Sequence, residues 1–205
     1  MNHSLTAEGF GVRLRPVRLE DANFIVWLRN LDHAKGNVGD SAPDVAGQQA
    51  WLATYFKRTG DYYFIIETAG GIPVGTYGIY NVDKTSAEEG RWIVRPEVPA
   101  AIPSITLALD LAFCEMKLTQ LRGTTVATNE RVLSLNRKLG FRQVRVESAA
   151  QTIGGKAVDL VHFTLAAADW SSARERLLGP IRLAEAQVLD WERAQFRKKG
   201  CAEIR

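Results

Sequence analysis

The spacing of apolar positions changes several times along this chain, and each change marks an element. Val12-Arg13-Leu14-Arg15 alternates and stops at Pro16, which predicts a short strand. From Glu20 to Asn30, with Leu31 beyond, Phe24, Trp27 and Leu28 recur at helical spacing behind an acidic first turn. A polar loop runs from His33 to Asp44 with Gly36, Gly39 and Pro43. Asp44 then caps a second helix to about Arg58, with Trp51, Leu52, Tyr55 and Phe56 on its apolar side. The period next falls from about 3.6 to about 2. Tyr62 to Glu67, Val74 to Tyr80 and Gly90 to Val94 read as successive strands, the first two joined at Gly70-Gly71.

The stretch from Arg95 to Pro103 carries Pro96, Pro99 and Pro103 and precedes a mostly apolar helix, Ser104 to Met116, that places Cys114 in the core. Thr124 to Thr128 is a β-branched strand, and Asn129 opens a helix that stops at Gly140. Arg142 to Glu147 and Val158 to Leu165 read as two strands joined across Gly154-Gly155. Asp169 to Lys199 is helical and broken at Gly179-Pro180. The order β-α-α-β-β-β-α-β-α-β-β predicts a mixed α/β sheet of about seven strands with a helical tail. From Ile181 onward the tail is amphipathic through Ala184, Val188 and Trp191. Its apolar stripe needs a cover: the parent domain, a second subunit in a homodimer, or another partner.

Composition narrows the function classes. At 205 residues, 46% hydrophobic and 24% charged, the chain has the make-up of one globular domain with an appendage. A net charge of +3 is too small to argue for nucleic acid, though a local basic cluster still suits a phosphate-bearing ligand. Cys114 and Cys201 make neither a disulfide framework nor a metal-ligand spacing, which fits a reducing cytosol and predicts no metal. Met1 to Phe10 lacks the apolar segment of a signal peptide, and no window of about 18 apolar residues exists to span a membrane. The expected location is the cytoplasm.

Two units could hold chemistry. The first is Gly90 to Met116, where a strand runs into a helix N-terminus and brings unpaired N–H groups and a positive dipole end together, a place for a phosphate. The alternative reading is a rigid turn into a core helix. The second is Thr124 to Phe141. Its Asn129, Leu135, Gly140 and Phe141 fall on the pattern of the last conserved unit of the GNAT superfamily of N-acetyltransferases, which the chain resembles. Leu14-Arg15-Pro16 with Asp21, Val74-Gly75 with Ile79, and Val161 to Trp170 agree in order, so the resemblance covers about residues 11 to 170. It implies the GNAT fold over residues 1–170, a mostly antiparallel seven-stranded sheet flanked by helices, with 171–205 a helical extension outside it.

The resemblance further implies acetyl-CoA as cosubstrate in an opening between the strands at Gly90–Val94 and Thr124–Thr128. Backbone groups of Ile93 and Val94 would pair with the pantetheine, and N–H groups of Ala100, Ala101, Ile102 and Ser104 would take the pyrophosphate. Asn129 would bond the pantetheine arm, with Arg131 or Arg137 on the nucleotide phosphates. The sequence departs from the pattern twice. Pro99-Ala100-Ala101 replaces the glycine-rich loop, and Asn136 replaces the tyrosine that often protonates the leaving thiolate. Asparagine donates no proton in acid–base chemistry at neutral pH, so Asn136 positions or hydrogen-bonds the sulfur.

An attacking amine must lose a proton, which calls for a carboxylate or imidazole near the acyl carbon. Glu89 is the candidate base, read alternatively as a solvated or Arg91-paired carboxylate. His162, inside the last strand, is a second candidate, read alternatively as structural. Arg29, Asn30, His33 and Tyr80 form the expected acceptor side, their alternatives being ion pairing, loop and strand packing. The branch most resembled acts on small or terminal amines, which implies a small-molecule primary amine on a nucleotide-linked sugar of surface-polysaccharide type. The rivals are a protein N-terminal acetyltransferase of the ribosomal-protein type and an inactive acyl-CoA-binding module.

Overall fold

A computed structural model describes residues 2–39, 42 and 44–202; Pro43 of the predicted loop and the side chains of Lys199 and Cys201 lie outside what it describes. The strands are β1 (Ala7–Gly9), β2 (Val12–Pro16), β3 (Tyr62–Thr68), β4 (Pro73–Tyr80), β5 (Ser86–Val94), β6 (Gln120–Val126), β7 (Arg142–Ile153) and β8 (Lys156–Ala166). The helices are α1 (Ala22–Arg29), α2 (Val45–Tyr55), α3 (Ala101–Asp110), α4 (Glu130–Leu139), α5 (Ala167–Arg176) and α6 (Leu178–Ala202). All eight strands join one sheet in the order β1-β2-β3-β4-β5-β6-β8-β7. Each neighbouring pair is antiparallel except β5 and β6.

The two faces are covered differently. On one, Ile25 of α1 and Leu52 and Tyr55 of α2 pack with Tyr63 and Ile65 of β3. On the other, Phe64, Ile66, Tyr77 and Ile79 meet α3 residues such as Ile105 and Leu109, together with Leu139 of α4, Trp170 of α5 and Val188 of α6. Alternate residues of one strand thus serve two cores, as the two-residue strand repeat requires. Full burial of each such side chain contributes about 2 kcal/mol.

The opening motif has a physical purpose. Arg15 grips Asp21 with both ends of its guanidinium at 2.7 and 2.8 Å, and its Nε donates to Glu67 at 2.6 Å. Asp21 also accepts from the Arg18 N–H at 2.7 Å, which starts the helical turn that leads into α1. The buried carboxylates of Asp21 and Glu67 are therefore paired, the condition under which a buried charge is tolerated.

Several boundaries differ from expectation. The sheet has eight strands, not seven, because the three-residue β1 folds back on β2 and is too short to carry a pattern. α3 starts at Ala101, and the helix ends in a π-helical turn over Leu111–Glu115. Leu111 and Phe113 are buried there but Cys114 is exposed, so it is not a core residue as read from sequence. The tail breaks at Leu177, the residue between α5 and α6, while Gly179 and Pro180 lie in the first turn of α6. Proline costs little in a first turn, where its missing N–H would have no helical partner. Helix α4 ends where expected, at Gly140, whose φ of 91° is the left-handed cap that a glycine takes without strain.

The stripe on α6 is covered by the same chain. Ile181, Ala184 and Val188 are buried, and a Glu192 carboxylate oxygen accepts from the Thr68 hydroxyl and, at 2.7 Å, from the Gly70 N–H. No described helix is long and apolar enough to cross a membrane.

Candidate active site

β5 and β6 are parallel neighbours that pair only over Ser86–Gln120, Ala87–Leu121 and Glu88–Arg122. Beyond that step they separate. β5 carries an irregularity there: Arg91 has φ of 53°, and the register with β4 slips between Thr76 and Gly78. The distortion is held in place. The Arg91 guanidinium binds both oxygens of Asp61, at 2.6 and 3.0 Å, and lies 4.6 Å over the Tyr80 ring. The Thr76 hydroxyl donates to the Arg91 carbonyl at 2.7 Å.

A cavity of about 410 Å³ fills the gap between the strands. One end is lined by Ala101 and Ile105 of α3 and by Asn129, Arg131 and Asn136 at α4. Elsewhere it is lined by Arg29, by His33, Ala34, Asn37, Val38 and Gly39 of the loop after α1, and by Gln151 and Ile153 near the tip of the β7–β8 hairpin. The cavity therefore reaches helices that cover opposite faces of the sheet. The loop and hairpin meet closely enough that a side-chain carbon at Gly39 would lie 2.8 Å from the Gln151 amide nitrogen.

Glu89 stands where β5 and β6 part. Its side chain is buried, and it is the sole carboxylate among the described residues lining the cavity, beside Arg29, Arg91, Arg95 and Arg131. Burial pushes its pKa up to about 7, opposed by the Tyr77 hydroxyl next to it. It is neither solvated nor paired with Arg91, whose partner is Asp61. Asn136 is also buried in the lining, and its Nδ2 has no hydrogen-bond partner among the described residues, a donor left for something that enters.

The structure distributes the other expected residues unevenly. Ile93 and Val94 line the cavity, on the edge of β5 that β6 has left. His33 lines it as well and donates Nε2–H to the Val94 carbonyl at 3.0 Å. The Asn129 side chain accepts from the Val132 N–H at 3.3 Å, so it caps α4 as well as lining the cavity. Of the four N–H groups expected for a pyrophosphate, two are already engaged. Ala100 N–H donates to Val98 at 2.8 Å and Ser104 N–H to Ala100 at 2.9 Å. Pro103 has no N–H, so helix geometry leaves Ala101 and Ile102 as the donors of the first turn.

Arg29 donates to the Gly39 carbonyl at 2.5 Å and so ties the loop to α1. Tyr80 lines the cavity and donates to the Glu89 carbonyl at 3.4 Å; burial, with Glu89 nearby, pushes its pKa up to about 12. Asn30 is outside the lining, its amide donating to Val26 one turn back at 2.9 Å. Arg137 is exposed and 3.8 Å from Glu130. His162 is outside too, donating to Glu147 at 2.9 Å beside a second hollow of about 440 Å³ that also carries Arg122 and Arg145. The two hollows share Tyr80, Thr124 and Phe163. Sequence reasoning missed Tyr77, Gly123 and Gln151: the first reads as strand core, the second falls just before the strand read from Thr124, and the third sits in a hairpin with no motif. Among the described residues no group of acids, histidines and cysteines is placed to hold a metal ion.

Comparison with known proteins bears on the fold and the family. No curated protein sequence matches the chain. Among solved structures, a GCN5-related N-acetyltransferase from Brucella melitensis superposes with a TM-score of 0.71 at 18% identity, covering 84% of this chain and 83% of that one. FdhC, a nucleotide-linked sugar GNAT, gives 0.70 at 23% identity, covering 88% and 98%. A mutant form of SpeG, the spermidine N-acetyltransferase of Vibrio cholerae, gives 0.69 at 18%, covering 79% and 97%. These likenesses establish the fold. The family profile of the acetyltransferase (GNAT) domain matches residues 12–142, a span that holds the parting strands, both α3 and α4, and most of the cavity between them. The chain is a member of the GNAT acetyltransferase family, an N-acetyltransferase whose family draws its acyl group from acetyl-CoA.

Proposed function

We propose that the protein acetylates the primary amine of an anionic small molecule, a nucleotide-linked amino sugar, by direct attack in a ternary complex, with Glu89 as the base. The observation that carries this reading is the lining of the cavity: Glu89 is its only carboxylate among the described residues, and Arg131 of α4 stands in it beside Arg29, Arg91 and Arg95, of which Arg91 is paired with Asp61 and Arg95 with Glu97. A polyamine acceptor calls for the reverse balance, since each ammonium group needs an acidic partner. A peptide N-terminus needs an open groove, whereas Gly39 and Gln151 meet over this one.

Acetyl-CoA supplies an activated acetyl thioester. Its fit to this chain rests on the edge of β5 that β6 has left, the unpartnered Asn136 amide and the Ala101 and Ile102 N–H groups, which helix geometry leaves without an intrahelical partner. Ala101 N–H, with Arg131, would hold the phosphates, Ile102 N–H lying next to it in the first turn of α3 though outside the lining, and Asn129 would face the arm. Backbone N–H groups around Ile93 and Val94 polarise the thioester carbonyl. Glu89, half ionised near neutral pH, removes the amine proton as the C–N bond forms and the C–S bond breaks. Asn136 donates a hydrogen bond to the departing sulfur, and solvent supplies its proton.

The test is turnover of acetyl-CoA with a nucleoside-diphosphate amino sugar, spermidine and an N-terminal peptide. The sugar should give the highest kcat/KM. A preference for spermidine or peptide would overturn the acceptor class, and acetyl-CoA binding without turnover of any amine would leave a binding module.

A further inference from the structure

We propose that Gly123 is a positioning residue for the reaction: by having no side chain it seats the Glu89 carboxyl in the mouth of the gap between β5 and β6. The inference rests on Glu89 being the base. Gly123 interrupts a strand that continues Thr124-Thr125-Val126, and an interior glycine weakens a strand by conformational entropy and lost packing. Its φ is outside the left-handed region, so the backbone does not call for glycine here. Space does. A Cβ at Gly123 would lie 2.6 Å from the Glu89 Oε1 and 2.5 Å from the Phe163 Cε2, both well inside van der Waals contact.

The two neighbours do not yield equally. Phe163 is buried and edge-on against Phe141 at 5.0 Å, a planar ring that turns about only two bonds although it borders both hollows. The Glu89 carboxyl ends a side chain with three rotatable bonds beside the cavity, so it is the group that yields more readily. The position is also special in the sheet. Glu88 and Arg122 form the last pair of the parallel ladder, and Glu89 and Gly123 are the next residues on the two strands. The missing side chain on β6 thus leaves a wedge at the apex that the carboxyl of β5 occupies. Any larger residue would turn the carboxyl out of that wedge, and proton transfer tolerates little displacement because donor and base must lie within hydrogen-bond reach.

The experiment compares pH–rate profiles of the full chain, Glu89→Gln and Gly123→Ala, with KM for acetyl-CoA measured alongside. Gly123→Ala should lower kcat ten- to a hundredfold and displace the midpoint of the acidic limb, with KM for acetyl-CoA changed less than about threefold. Because the added methyl group also meets Phe163, Gly123→Ala is repeated in a Phe163→Leu background, where the ring contact is gone. The displaced limb and lower kcat must persist there relative to Phe163→Leu alone. If Glu89→Gln abolishes the limb but Gly123→Ala leaves kcat and midpoint unchanged in both backgrounds, the base stands and the seat is wrong. If Glu89→Gln keeps the limb, the base assignment fails first, and the seat with it.

Discussion

Glu89 is where single-residue chemistry has the most to say. A base with a pKa of about 7 makes kcat/KM rise as pH climbs through neutrality and level off above it. Glu89→Gln should remove that rise and lower the plateau about a hundredfold, read from a pH–rate profile. The same burial acts on stability. The folded protein keeps a proton that the unfolded chain gives up above the ordinary value of 4.5, so the contribution is largest below that pH and is lost as pH rises toward about 7. Glu89→Gln should therefore melt higher than the parent at about pH 8, by up to about 3 kcal/mol, and the difference should vanish near pH 4. At Asn136, replacement by Ala should weaken acetyl-CoA binding five- to tenfold, about 1 kcal/mol, and leave turnover measurable, checked by calorimetry and saturation kinetics. Sequence placed Glu89 on a strand entering the site but not its depth, because its rival partner Arg91 is claimed by Asp61, a residue 30 positions away. No local pattern encodes that competition.

Among the elements, α4 was the most legible and is the most informative to perturb. Its start at Asn129 and its stop at Gly140 are both set by local chemistry, a side-chain cap and a left-handed glycine. Asn129→Ala should cost about 1 kcal/mol in thermal or denaturant unfolding before any ligand is added. Asn129→Asp keeps an oxygen for the Val132 N–H, so comparing the two variants separates the cap from any contact with acetyl-CoA. Elements fixed by distant partners were less legible. The β-branched run Thr124 to Thr128 drew the expected strand late, yet β6 begins at Gln120 because its first residues pair with Ser86 to Glu88 of β5. Likewise β5 begins before its apolar alternation, where the Asp83 carboxylate accepts from the Ser86 N–H at 2.9 Å and turns the chain into the sheet. The parting of β5 and β6 left no trace in the apolar pattern, and the irregular backbone at Arg91 just beyond it is held by Asp61, a partner outside the strand.

On the scale of the whole molecule the tail helix is part of the acetyltransferase domain's own packing, although the family profile stops at residue 142. Val188 is fully buried in the main core, and Glu192 ties α6 to the β3–β4 turn. Arg95, which borders the cavity, lies 5.4 Å from both Trp27 of α1 and Trp191 of α6. Glu192→Ala should lower stability by about 1–3 kcal/mol, measured by chemical unfolding, because it strands the Thr68 hydroxyl and the Gly70 N–H. A tail that packed on nothing would show no change. The cavity, finally, is lined from elements on both faces of the sheet, α3 and α4 on one and Arg29 with the loop after α1 on the other. On the proposed assignment, acetyl-CoA and amine approach from different faces and do not obstruct each other. Either is then expected to arrive first, and spent CoA to leave before the acetylated product clears. Steady-state inhibition patterns would carry that signature: a sulfur-free CoA analogue acts non-competitively toward the amine and a dead-end analogue of the amine acts non-competitively toward acetyl-CoA, whereas a compulsory order makes one of the two uncompetitive.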